Sequence, residues 1–497
     1  MPNVGRPSRD CQSCRQRRIK CDLLRPHCGQ CLRKGRLCPG YRDELLAMHF
    51  RLDITVSTTS QRHRNRPERP LPDPYVYGDA NIVDHLIRQV LPAIRMAPHW
   101  IRECCLAFVS ASPSPLVLHS IHYATASHYR KCRQQQSPSI EELHHRGHVL
   151  HRMREAFNLS DMRPIFDEVL LAAFVLAVHD AHSGFQTRDP SPFKPLFPSL
   201  QALDLHGGQS YHPQHWTAVE HLLARRGSFT HIKIFALPWW LSYVYLKRAV
   251  ATCTPPLLPL LTSEGELLDD ISPAAMLGKI PLQISGFHCL TDVSIPPARI
   301  RPLCQLTELA DAMAQITTPR SAGMMDRLGD ARNVVQHGLL SMPKGQHQTE
   351  ASSLRDSPPT LPPGHACHVY DACRLAALLF STHVTFPYPQ TCGIRAMLVP
   401  QLLSALMQLE NDCFYSSPNI MRALLWCATV GGVTAATTRS WFITYLARLS
   451  TLLDIQSYDE VNSALRPFAW IDAACDDAGQ QLWRDVSAHV LVDEFTG

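Results

Sequence analysis

The residues with the most evident chemistry are six cysteines between positions 11 and 38, spaced C-x2-C-x6-C-x6-C-x2-C-x6-C. They are Cys11, Cys14, Cys21, Cys28, Cys31 and Cys38. The pattern repeats one half, C-x2-C-x6-C, and the other 469 residues contain only twelve cysteines. Thiolates in such a register are typical ligands of structural zinc. The sequence therefore predicts a metal site near the N-terminus.

The polar, basic start MPNVGRPSRD predicts no secretory signal, so we expect a reducing compartment, which disfavours three disulfides. A 28-residue segment with few large apolar side chains buries too little surface to fold alone. Structural zinc supplies on the order of 10 kcal/mol to such modules. Because each zinc ion takes four ligands, six thiolates hold two ions only if two sulfurs are shared. We therefore predict a cluster with two Zn²⁺ ions as cofactors.

Positive charge is concentrated around these cysteines. Residues 1–42 contain eleven Lys or Arg and two acidic residues, whereas the formal charge of the whole chain is only +5. This asymmetry indicates a polyanionic partner, with nucleic acid and an anionic membrane surface as the candidates. The candidate DNA-contacting residues are Arg15, Arg17, Arg18, Lys20, Arg33 and Lys34.

Four of these cations lie in RQRRIK, between Cys14 and Cys21. This stretch contains neither Gly nor Pro, so it predicts a short helix anchored at both ends by metal ligands. Such a helix suits the major groove, where Arg and Lys donate to O6 and N7 of guanine, and it predicts a G-containing triplet. The second half, GQCLRKGRLC, is interrupted by Gly35 and is predicted to contact phosphates. Double-stranded DNA is the expected partner.

The segment resembles the fungal binuclear zinc-cluster, or Zn2Cys6, transcription factors. Besides the cysteine spacing, the shared features are the basic run after Cys14, the Cys21-Asp22 pair, Pro26 and the CPGYRD stretch. The resemblance implies that Cys11 and Cys28 bridge the two ions. It also implies that Arg17 and Arg18 read a CGG-type triplet, although lysine is frequent in the family where this sequence has Arg18.

Residues 43–79 are predicted to be a linker. After the apolar stretch DELLAMHFRL the sequence turns polar and Pro-rich, and it includes RHRNRPERP at Arg62–Pro70. No sustained heptad pattern follows the cluster, so monomeric binding and a homodimer through the C-terminal domain both stay open. The linker arginines are compatible with phosphate contacts, with a nuclear localisation signal and with a solvated linker.

Residues 80–497 predict a large all-α regulatory domain, because helical periodicity recurs between Pro and Gly and no alternating strand runs are present. The predicted helices are 80–90, 115–133, 140–157, 165–179, 216–226, 239–251, 369–381, 400–410, 420–436 and 440–453. The Pro-, Gln- and Ser-rich stretch 342–364 predicts a disordered insertion. The apolar runs Val169–Val178 and Ala423–Ala436 are too short to span a bilayer and predict core helices, so no membrane partner is expected.

Two stretches of the body, His206–Gly227 and Leu424–Leu449, resemble the fungal-specific transcription factor domain. That resemblance implies effector response, self-association and recruitment of transcription machinery. His144, His148 and His151 have metal-ligand spacing on a helix, but arginines are interspersed, so we interpret them as an exposed histidine-rich helix. No P-loop, GxSxG or Rossmann fingerprint is present.

The expected architecture is a small metal-stabilised Zn2Cys6 module in residues 1–42, followed by a linker and a large all-α regulatory domain. The leading hypothesis is a nuclear, sequence-specific DNA-binding transcription factor without enzymatic activity, and the resemblance suggests control of a biosynthetic gene cluster. The alternatives are an enzyme with a zinc-containing targeting module and a zinc-stabilised protein-interaction adaptor. Salt-dependent, sequence-selective DNA binding would separate the first class from the other two.

Overall fold

The computed structural model describes residues 14, 19–22, 30, 80–110, 114–159, 161–180, 188–227, 232–268, 271–316, 321–345, 363–409 and 417–496. The chain divides into two units, residues 1–74 and residues 75–497. The predicted linker at 43–79 lies outside the described residues.

In its described part, the second unit consists of helices joined by loops and contains no β-strand. The α-helices are α1 (Ala80–His85), α2 (Leu91–Ile94), α3 (Pro98–Cys105), α4 (Pro115–Cys132), α5 (Ile140–Phe157), α6 (Phe166–His179), α7 (Leu203–His206), α8 (Pro213–Arg226), α9 (Leu237–Thr252), α10 (Pro273–Met276), α11 (Pro297–Ala314), α12 (Ala322–Ser341), α13 (Pro363–His383), α14 (Thr391–Met407), α15 (Pro418–Thr434), α16 (Arg439–Leu452), α17 (Tyr458–Leu465) and α18 (Asp472–Thr496). Two π-helical segments are π1 (Leu86–Val90) and π2 (Leu106–Ser110). The prediction of a mostly helical body is confirmed.

Several predicted helices are confirmed close to their predicted ends. Helix α5 begins at Ile140 and ends at Phe157, and the Oγ of Ser139 accepts a hydrogen bond from the backbone N–H of Glu142 at 3.1 Å. A serine in this position satisfies one of the unpaired N–H groups of the first turn. Helix α6 contains the run Val169–Val178, and every residue of that run is buried. No described helix is long and apolar enough to cross a membrane.

The largest error in a predicted helix start is nine residues. Helix α14 begins at Thr391 and passes through Pro400, which the sequence had suggested as the first residue. Proline is frequent in the first turn of helices, and this preference misplaced the boundary. Inside a helix proline removes one backbone hydrogen bond. Burial of Ile394 and Leu398 on the preceding turns, where α14 packs against α13, offsets that loss.

The described ends of the predicted insertion pack against α13. Met342 is buried, the hydroxyl of Tyr370 donates to the carbonyl of Pro343 at 3.1 Å, and the backbone N–H of Gly345 donates to Asp371 at 3.0 Å. Pro363 is the first residue of α13. Residues 346–362, the rest of the predicted insertion, lie outside the described residues.

The core of the second unit is centred on α13 and α15, which pack against each other. Trp426 of α15 is fully buried, its indole N–H donates to the carbonyl of Ala469 at 3.0 Å, and it meets the ring of Phe287 edge-on. Helix α16 approaches α15 at Gly431, where an added Cβ would lie 2.3 Å from the ring of Phe442. Glycine is therefore required at this crossing because any side chain would push the two helices apart.

Candidate zinc and nucleic-acid site

The described residues of the first unit include two of the six predicted zinc ligands. Cys14 is helical and has no exposed surface, and Cys21 is only 5% exposed. The backbone N–H of Ile19 donates to the carbonyl oxygen of Cys14 at 3.1 Å. Ile19 and Lys20 are not helical, so the prediction that the helix of RQRRIK continues to Lys20 is wrong for these two residues.

The residues on either side of Cys21 are exposed. Lys20 precedes the buried thiol and Asp22 follows it. Lys20 therefore presents its ammonium group to solvent directly beside a thiol that is shielded from it. The other predicted ligands and cations lie outside the described residues; they are Cys11, Cys28, Cys31, Cys38, Arg15, Arg17, Arg18, Arg33 and Lys34.

The donor set fits zinc. Cys14 and Cys21 offer soft sulfur donors that are shielded from water, which is the environment of closed structural zinc sites. When bound, zinc keeps its cysteine ligands deprotonated and supplies folding free energy to the segment. The remaining ligands would come from the other four cysteines of the same 28-residue stretch.

Comparison with known proteins supports this site. Residues 9–47 match the fungal Zn(2)-Cys(6) binuclear cluster domain. The chain is also similar to the aspercryptin biosynthesis cluster-specific transcription regulator atnN of Emericella nidulans, with 54% identity over 37 residues. That alignment covers 7% of this chain and only 6% of the relative. No solved structure matches the chain significantly.

These findings define the class of the N-terminal segment: it is a zinc-binding domain of the Zn2Cys6 type, found in DNA-binding regulators of transcription. The prediction of two Zn²⁺ ions is confirmed, because the matched domain binds two zinc ions. The match extends to residue 47, five residues past the predicted end of the module at 42. It ends well before Ala80, the first residue of the first described helix in the second unit.

The histidine-rich helix of the body differs from the prediction of a simple exposed helix. His151 is exposed and lies 3.4 Å from Glu155, as expected for a solvated face. In contrast, His144 and His148 are half-buried, and the neighbouring His145 is buried. The prediction was wrong for these positions because helix α4 covers this face of α5.

Helix α4 brings two more histidines to this face. The Nδ1 atoms of His119 and His145 lie 2.9 Å apart, and the ring of His119 stacks on that of His148 with centroids 4.3 Å apart. Burial, together with neighbouring His122 and His119, lowers the pKa of His145 to about 3. The sequence signal for this cluster was the HSIH run of α4, which is meaningful only once α4 and α5 are known to pack together.

A second polar cluster that the sequence did not indicate is centred on Asp180, which follows α6. Its carboxylate accepts a hydrogen bond from Arg146 at 2.8 Å and lies 3.1 Å from Nε2 of His215. Asp180, His212 and His215 have ligand atoms within 4.8 Å of one another, an arrangement that could hold a metal ion. Because the guanidinium of Arg146 already neutralises this carboxylate, we interpret the cluster as a structural tie between α5, α6 and α8.

This tie predicts an acid-sensitive contribution to stability. Burial raises the pKa of Asp180, but the hydrogen bonds from His215 and Arg146 outweigh it and hold the pKa well below its usual range. The contribution is therefore present above about pH 4 and is lost as the pH falls toward the depressed pKa. We expect Asp180→Asn to lower the free energy of unfolding by about 2 kcal/mol at pH 7 and by less at pH 3.5.

Urea unfolding of the full chain, followed by helical circular dichroism at pH 7, 5 and 3.5, tests this expectation. Asp161→Asn is the matched control, because Asp161 is half-exposed and pairs only with nearby Arg163 in the described structure. An Asp180→Asn effect that is equally large at all three pH values would contradict the ionic explanation.

Proposed function

We propose that this protein is a nuclear, sequence-specific DNA-binding transcription factor that contacts double-stranded DNA through its N-terminal Zn2Cys6 domain. The observation that carries the proposal is the match of residues 9–47 to that domain, together with the burial of Cys14 and Cys21 beside exposed Lys20. The concentration of positive charge in the same stretch supplies the electrostatic attraction to phosphate that DNA binding requires.

The proposed zinc ligands are the six cysteines of the N-terminal stretch, with Cys11 and Cys28 as the shared ligands. The proposed DNA contacts divide into two sets. Arg15, Arg17, Arg18 and Lys20 belong to the basic segment that enters the major groove, and Arg17 and Arg18 read a CGG-type triplet. Arg33 and Lys34 contact phosphates, which position the domain but carry no sequence information.

Replacing Arg18 tests the assignment of base contacts. We expect Arg18→Ala to reduce the preference for a CGG-bearing duplex over a scrambled duplex by about 5- to 150-fold, because a bidentate contact to guanine discriminates by roughly 1–3 kcal/mol. The measurement is competition binding of the full chain at fixed salt concentration.

Two variants separate the roles of charge and base contact. Lys34→Ala should weaken binding to both duplexes equally and reduce the salt dependence, as expected for a phosphate contact. Arg25→Ala, which removes one positive charge outside the proposed contact set, should leave the preference unchanged. Unchanged selectivity of Arg18→Ala would refute the groove assignment.

We further propose that the helical body is the regulatory domain, of the kind called the fungal-specific transcription factor domain, and that it has no catalytic activity. Its polar clusters around His145 and Asp180 are paired internally among the described residues, as structural groups are. The relative from Emericella nidulans is named as a regulator specific to a biosynthesis cluster, which supports control of a biosynthetic gene cluster here. A genome-wide map of bound sites would identify the genes.

We also propose that the helical body contacts the transcription machinery and a second copy of this chain. Three alternating aliphatic side chains, Ile280, Leu282 and Ile284, are 74–83% exposed on the second unit. Neighbouring apolar side chains at the surface favour contact with another protein. These residues are therefore the described surface that supports association.

A further inference from the structure

The helical body contains a cavity between π1, α4, α6 and α9. Its volume is about 110 Å³. An apolar core cavity of about 150 Å³ takes up benzene, so a space of this order suits a small organic molecule. Most of the wall is apolar and includes Leu91, Ile121, Val175 and Trp239. The cavity is therefore suited to a compact apolar ligand body.

Apart from Tyr243, the ionisable side chains of the cavity wall, among the described residues, are all basic. His128, His179, His206 and Lys247 line it, and no Asp or Glu is present among the described lining residues. Burial is the main cause that lowers the pKa of each of the three histidines, that of His128 to about 4. These imidazoles are therefore neutral near pH 7, and Lys247 is the wall residue that can carry a positive charge.

Lys247 is a buried amine with spare hydrogen-bonding capacity. Its Nζ donates to the carbonyl of His206 at 3.3 Å and lies 4.9 Å from the centre of the Tyr243 ring. An ammonium group has three donors, and this carbonyl is its acceptor among the described residues. Burial and the nearby cations Lys131 and Arg332 lower the pKa of Lys247 to about 7. A bound anion would stabilise the protonated amine and use its remaining donors.

Three other wall residues have a buried nitrogen without a hydrogen-bond partner in the described part of the chain. They are His179 at Nδ1, Gln201 at Nε2 and Trp240 at Nε1. The amide nitrogen and the indole nitrogen are donors, and the imidazole nitrogen donates or accepts according to its tautomer. Leaving such groups unpaired in a protein interior is destabilising. A ligand with oxygen acceptors would supply hydrogen-bond partners for the donors among them.

The backbone of the wall is also unusual. Gln201 and Ala202 are consecutive non-glycine residues in the left-handed region, with φ of 55° and 51°. Residues with side chains adopt this conformation at an energetic cost, and such strain concentrates at ligand-binding sites. The cavity wall also includes residues of π1, and π-helical turns are frequent at functional sites.

We propose that this cavity binds a small monocarboxylic acid with a compact aromatic or branched aliphatic body, and that the carboxylate pairs with Lys247. The apolar wall takes the body of the ligand, and the indole N–H of Trp240 supplies a further contact for its oxygens. The inference goes beyond DNA binding, because it assigns a ligand class to the helical body and requires no contact with nucleic acid.

Calorimetric titration of the full-length, zinc-loaded protein with benzoate, phenylacetate and 3-methylbutanoate tests the proposal. Benzamide is the neutral isostere of benzoate. We expect at least one of the acids to bind with a Kd on the order of 0.1–1 mM, a range reasonable for ligands of so few atoms. Benzoate should bind at least about tenfold more tightly than benzamide. Failure of all three acids to bind below about 10 mM would overturn the proposal.

Variants locate the site. Lys247→Met keeps the apolar stem and removes the amine, so it should abolish the preference for benzoate over benzamide. Lys233→Met removes an exposed lysine and should leave binding unchanged. Ala124→Leu fills space at the cavity wall and should weaken binding of acid and amide alike. It also tests the site if Lys247→Met does not fold, which circular dichroism would reveal. A benzoate preference retained in Lys247→Met, or unchanged binding in Ala124→Leu, would place the ligand elsewhere.

Discussion

Cys28→Ser is expected to lose both zinc ions and all sequence-selective DNA binding. Two tetrahedral ions need eight metal–sulfur bonds from six thiolates, so a shared sulfur contributes to both coordination spheres. In the proposed arrangement Cys28 is one of the two shared ligands, so its loss leaves each ion with three protein ligands. Structural zinc contributes roughly 10–16 kcal/mol to small domains, and a domain deprived of it unfolds.

Native mass spectrometry of the full chain counts the bound zinc, and competition binding with duplex DNA reports the consequence. Cys132→Ser is the matched control, because Cys132 is an exposed free cysteine of the helical body, far in sequence from the cluster. It should retain two ions and normal selectivity. Retention of two zinc ions by Cys28→Ser would show that this sulfur does not bridge them.

Arg95→Met is expected to destabilise the helical body by about 3–5 kcal/mol. The guanidinium of Arg95 donates to both carboxylate oxygens of Asp330, at 2.8 and 2.9 Å, and its Nε lies 3.7 Å from Asp326. The side chains of all three residues are less than 10% exposed. Removing one partner of a buried ion pair leaves an uncompensated charge in the protein interior, which is the reason for the large effect.

Urea unfolding followed by circular dichroism measures this loss. Arg88→Met is the matched control, because Arg88 forms an ion pair with Asp84 in which both side chains are more than half exposed, and its effect should be below about 0.5 kcal/mol. The double variant Arg95→Met with Asp330→Asn should recover part of the stability, since it removes one of the two buried negative charges. If Arg95→Met is no more destabilising than Arg88→Met, the buried network does not stabilise the fold.

The buried ion pairs of Arg95 with Asp330 and Asp326, called here the Arg95 network, also connect to the proposed ligand cavity. The indole N–H of Trp239 lies 3.4 Å from the carboxylate of Asp330, and the guanidinium of Arg95 lies 5.3 Å from the centre of the Trp239 ring. Because Trp239 forms part of the cavity wall, we expect Arg95→Met to weaken carboxylate binding as well as stability. The two effects share a cause, which is loss of the groups that hold this indole in place.

Helices α5 and α6 were predictable from their apolar patterns, whereas α12, with three buried charged residues, was not. The uniformly apolar run in α6 and the periodic α5 were both recognised, the latter to within a residue at each end. Helix α12 was missed because Asp326, Asp330 and Arg332 interrupt its apolar pattern, although all three are buried. A sequence does not distinguish a buried charged residue from an exposed one, because it does not show which distant residue forms the ion pair.

What the sequence determined by itself is the zinc domain. All six of its proposed ligands fall within 28 residues, so their spacing alone restricts the coordination, and the basic residues are neighbours in the chain. Only the tertiary structure decided the histidine cluster, the Arg95 network and the cavity. Arg95 and Asp330 are 235 positions apart, and the walls of the cavity come from helices that span residues 86–247. Such sites depend on which helix faces pack together, and packing is determined by the summed burial of many side chains rather than by any local motif.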